Sequence, residues 1–66
     1  MTYIARWDTG STYGSFEGDN LRIVKIEVRR VLAGSLPRGT RGRWSIDYLD
    51  QTKRQIDPIA AGIISN

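Results

Sequence analysis

The apolar positions concentrate in one stretch, residues 20–34, NLRIVKIEVRRVLAG, and two periodicities compete there. On a helical wheel Leu21, Val24, Val28, Val31 and Leu32 share a stripe that only Lys25 enters, with Arg22, Glu27, Arg29 and Arg30 elsewhere. Asp19 or Asn20 is placed to cap the first turn. Gly34 stands where a left-handed residue closes a helix, with Pro37 beyond it and arginines toward the end to complement the helix dipole. Against this, Ile23, Val24, Ile26, Val28 and Val31 are β-branched and suit a strand. The alternation fails at Ile23–Val24 and at Arg29–Arg30, so a strand would need bulges. The spacing favours a helix, which must leave Ile23 and Ile26 exposed or give them a second contact.

The flanking segments alternate with period two. Residues 2–8 place Tyr3, Ala5 and Trp7 on one face and Thr2, Ile4 and Arg6 on the other. Asp8-Thr9-Gly10-Ser11 is a turn. Residues 12–17 return as a second strand carrying Tyr13 and Phe16, weakened by Gly14. After a loop with Pro37, Gly39 and Gly42, residues 43–49 set Trp44, Ile46 and Tyr48 against Arg43, Ser45 and Asp47. Residues 50–53 read as a turn, and 54–57 begin a partner strand that Pro58 ends or confines to an edge. Residues 59–64 are apolar and serve either to finish that strand, to pack across the core, or to meet another subunit. Hairpin, helix, hairpin predicts a single α+β domain, ββαββ, with one helix on an antiparallel sheet. The alternative is a small all-β barrel, should the central stretch be extended.

Composition narrows the chemistry. The 66 residues hold no cysteine and no histidine, which removes disulfides, thiolate or imidazole metal sites, and Ser–His or Cys–His nucleophiles. No phosphate loop of Walker spacing occurs, and Asp47 with Asp50 reads as turn chemistry. The expectation is a protein that is not an enzyme and needs no cofactor or metal. A domain this small is marginally stable, so self-association as a homodimer is one way to add buried area. No signal peptide and no apolar span are seen, so a soluble, cytoplasmic protein without membrane contact is expected.

The net charge of +3 is unevenly spread: residues 21–54 hold nine of the ten basic groups and three acids. Arg38, Arg41 and Arg43 fall among glycines whose N–H groups are free to approach a phosphate, Trp44 follows, and Lys53 and Arg54 return on the next strand. Arginine and lysine beside an aromatic suit a nucleic-acid backbone and a stacked base, with Trp44 or Tyr48 as the stacking group. This predicts a nucleic-acid-binding module, for DNA or RNA. The bland counterpart is that Trp44 belongs to the core and the arginines only solvate a loop. A second expectation is a protein-interaction module, a regulator or inhibitor of a larger partner or a binder of an acidic protein surface. It would use Tyr3, Trp7, Ile59, Ile63 and Ile64.

Residues 45–59, SIDYLDQTKRQIDPI, resemble the opening of WYL-type ligand-sensing domains: a strand with Tyr, a turn, then Arg and an extended segment ending in Pro. The likeness covers under a quarter of the chain and lacks the later Trp-Tyr-Leu portion, so it carries no function over. Size, basicity and the missing catalytic signature also suit a phage or mobile-element accessory protein.

Overall fold

A computed structural model describes residues 1–49 and 58–66. The predicted turn at 50–53, the strand start at 54–57, and the candidate residues Lys53 and Arg54 lie outside the described residues. The order is β1 (Tyr3–Asp8), β2 (Tyr13–Gly18), α1 (Leu21–Ser35), β3 (Arg41–Tyr48) and β4 (Ala60–Ser65). The central stretch is therefore helical, and the barrel alternative falls. The four strands form one antiparallel sheet in the order β2-β1-β3-β4, so the first strands of the two hairpins lie side by side at its centre.

The helix forms for the reasons its pattern gives. Asn20 is extended, and its Oδ1 accepts from the Ile23 N–H at 3.1 Å, satisfying one orphan donor of the first turn. Val24, Val28 and Leu32 are buried, while Lys25 is exposed and does not intrude on the stripe. Ile23 and Ile26 are left on the outer surface. The expected stop at Gly34 is wrong. Among the described residues positive φ occurs only at Gly10 and Gly39, and the helix runs one residue past Gly34. It ends because Leu36, preceding Pro37, is held extended (φ −81°, ψ 126°) by the proline ring. The longer helix also leaves no basic residue in its last turn, so dipole complementation does not account for Arg29 and Arg30.

The inner sheet face carries Tyr3, Ala5, Trp7, Phe16, Trp44, Ile46, Ala60 and Ile64 around the buried helix stripe. Glycine marks the places where the layers touch. A Cβ on Gly18 would lie 2.5 Å from Val24, and one on Gly42 would lie 2.6 Å from Leu32. The helix thus meets β2 near its start and β3 near its end, and packs mainly on the central strands β1 and β3.

Candidate nucleic-acid interface

Among the described residues no helix lies over the other face of the sheet. The register places Tyr13, Asp8, Arg43 and Ile63 in one row across all four strands, and Ser15, Arg6, Ser45 and Ala61 in a second. Arg6 is the one large side chain of this second row; Ser15, Ser45 and Ala61 are small. A concavity of about 860 Å³ opens over the two rows, and no helix residue lines it. A second hollow of about 550 Å³ continues past the β1–β2 turn, between Gly10 and Arg41, and shares Asp8, Arg43 and Ile63 with the first.

Charge on this face is divided by its pairings. Arg6 donates from Nη1 to Asp47 Oδ2 at 3.1 Å, an ion pair across β1 and β3. Asp8 stands beside Arg43 in register, yet its Oδ1 accepts the Gly10 N–H at 2.6 Å and closes the turn. Thr9 completes that turn: its Oγ1 accepts from the Thr12 N–H at 2.9 Å. Its own N–H donates to the Thr12 carbonyl at 2.8 Å. Arg41 and Arg43, two residues apart and so on the same side of β3, have no acidic partner among the described residues.

Arg41 belongs to the strand rather than to a loop, because the strand begins two residues earlier than its hydrophobic pattern announces. Its register partner is Ser65. The shortened loop is tied to the chain end. Asn66 accepts from the Gly39 N–H at 2.7 Å and donates to the carbonyls of Thr40 at 2.9 Å and Leu36 at 2.8 Å. The Gly39 N–H is therefore spent, and Gly42 is buried under Leu32, so neither glycine offers a free N–H to a phosphate as expected from sequence. Arg38 sits on this loop, exposed.

The aromatic groups are redistributed. Trp44 is 7% exposed and part of the core, which removes it as a stacking group. Tyr48 is half-buried on the inner face, its ring 5.5 Å from that of Tyr3. Tyr3 and Trp7 also face the helix layer and pack on the core, so they form no exposed contact patch. Ile59 and Ile64 are half-buried, and of the predicted interaction residues only Ile63 stands out, at 68% exposure.

The exposed aromatic of the open face is Tyr13, at 83%. Its signal was in the alternation of β2, where Tyr13 shares parity with Ser15 and Glu17 while Phe16 points to the core. Among the described residues no three acidic, cysteine or histidine side chains converge as a metal site would need, and no helix is long and apolar enough to cross a membrane. Comparison with known protein families, with curated proteins and with solved structures finds no match to this chain.

Proposed function

We propose that this is a non-enzymatic module that binds nucleic acid on the open face of its sheet. The observation that carries the reading is the pair Arg41 and Arg43, projecting from one side of β3 with no acidic partner among the described residues. Arg38 on the adjoining loop lengthens the positive edge. Two or three such cations release counterions from a phosphate backbone, so affinity falls with salt. A double substitution, Arg41→Ala with Arg43→Ala, is expected to weaken binding to nucleic acid of any sequence. Each lost phosphate contact should flatten the salt dependence by about 0.7–0.9 in log–log slope. Anisotropy titration across ionic strength measures both quantities, and an unchanged slope in the double variant rules the arginines out.

A second reading is favoured by β4. It is an edge strand of sequence AAGIIS, without the charges that every other strand carries and that ordinarily protect an edge from pairing. A second copy of the chain adding antiparallel to it would extend the sheet and bring one Ile63 against the other. Ile63→Lys should then keep the molecule monomeric at concentrations where the unaltered protein associates. Sedimentation that is independent of concentration in the unaltered protein counts against this reading.

A further inference from the structure

We infer that the open face takes unpaired rather than duplex nucleic acid, with one base stacked on Tyr13 and the adjoining phosphates on Arg43 and Arg41; this rests on the nucleic-acid reading above. Three observations lead there. The first is breadth. The face is four strands wide, and neighbouring strands lie about 4.8 Å apart. Its backbone alone therefore spans roughly 14 Å, wider than the ~12 Å major groove that admits one helix or a two-stranded ribbon. A face of that breadth does not enter the major groove of a duplex, whereas a single strand can lie across it.

The second is the position of Tyr13. An aromatic ring 83% exposed on an edge strand adds nothing to the core, and the rest of its parity class on β2 is Ser15 and Glu17. A stacked base would cover the ring and recover apolar contact, which is worth a good deal and depends little on base identity. The third is register. Tyr13 and Arg43 lie on one row with Asp8 between them, so they stand two strand spacings apart, roughly 10 Å. Consecutive phosphates of an extended single strand are separated by somewhat less, so a base on Tyr13 places the neighbouring phosphates over Arg43 and the hollow beside Arg41. In the next row Arg6, held by its ion pair with Asp47, stands between the small residues Ser15, Ser45 and Ala61.

The test compares oligothymidylate with a duplex of random sequence, both labelled, against four proteins: the unaltered chain, Tyr13→Ala, Tyr13→Phe, and the Arg41→Ala/Arg43→Ala double variant. The unaltered chain should prefer the single strand. Tyr13→Ala should lose about tenfold or more on the single strand and almost nothing on the duplex, while Tyr13→Phe keeps both. The arginine variant should weaken both ligands. If Tyr13→Ala leaves single-strand affinity unchanged while the arginine variant weakens it, the stacking inference is overturned and the basic reading stands. If neither substitution changes binding, both fall. Because Tyr13 is exposed, circular dichroism of Tyr13→Ala should match the unaltered protein, which separates lost stacking from lost fold.

Discussion

The indole of Trp44 lies over Gly62 of the neighbouring edge strand, so close that a Cβ on that glycine would come within 2.8 Å of three ring atoms. Trp7 does the same to Gly14 on the opposite edge, where the nearest ring atom would be 2.6 Å away. The register joins the four residues into one inner row, Gly14, Trp7, Trp44, Gly62, with a tryptophan on each central strand and a glycine on each edge. Neither indole has a flexible end with which to retreat. Gly62→Ala is therefore expected to destabilise the domain by about 1–3 kcal/mol, the usual result of overpacking. Chemical denaturation measures this. A Gly62→Ala protein as stable as the parent would mean that the tryptophan is free to swing away from the sheet.

Gly10 offers a contrast in mechanism. Nothing lies within 4 Å of a Cβ placed there, but its φ is +93°. Gly10→Ala should cost about 1 kcal/mol through backbone strain alone, since left-handed geometry penalises a side chain by that order. Gly10→Asn should recover part of the loss, because Asn tolerates such φ values better. Equal stability of the two variants would remove backbone strain as the cause.

Leu32 is fully buried and meets both the start of β3 and the space above Gly42. Leu32→Ala removes one of the two leucines, with Leu36, that cover that corner, at a cost of about 2–5 kcal/mol. A domain of this length has a total stability on the order of 3–10 kcal/mol. The variant should thus be largely unfolded or have a melting point lowered by tens of degrees. Ile23→Ala, on the exposed side of the same helix, should change stability by less than about 0.5 kcal/mol. Thermal melts of the two variants side by side test the burial pattern of α1.

The order of elements was legible because the two periodicities in this chain are clean where they matter. Alternation grouped Tyr3, Ala5 and Trp7 on one face of residues 2–8, and Trp44, Ile46 and Tyr48 on one face of residues 43–49; the register joins the two groups on the helix-facing side. The helical stripe likewise identified Val24, Val28 and Leu32. What failed were the inferences that depend on a residue's surroundings in space. Gly34 looked like a helix stop, but a glycine marks a stop only when the chain turns there, and here the helix continues to Ser35 and Pro37 sets its end through Leu36. Gly14 looked like a weakness in a strand, whereas it and Gly62 each leave room for an indole from the next strand. In sequence Trp44 suits either a stacking group beside Arg41 and Arg43 or the core, and it is core, because neighbours along a strand point to opposite faces. The arginines and the tryptophan were parted by that rule. Applied to β2 it picks out Tyr13 instead.

Asp8 provides the sharpest test of where a ligand would run. Its carboxylate closes the β1–β2 turn by accepting from the Gly10 N–H, and it lies between Tyr13 and Arg43 on the outer row. Asp8→Asn keeps an oxygen acceptor for the turn while deleting a negative charge from the path of a phosphate backbone. Fold stability should move by less than about 0.5 kcal/mol. A charge removed some 5 Å from a phosphate in well-hydrated surroundings changes the interaction by about 0.8 kcal/mol, so oligothymidylate affinity should rise roughly fourfold at low salt. The gain should shrink as salt screens the site, because the separation is within a Debye length only in dilute buffer or at moderate ionic strength. Glu17→Gln serves as the control: Glu17 shares the outer parity of β2 but lies four residues along the strand from Tyr13, opposite Ile4 rather than Asp8. A larger effect at Asp8 than at Glu17 places the strand along the row of Tyr13 and Arg43. Equal effects at the two sites would reduce the charge of this face to a diffuse field and remove the row as a binding track.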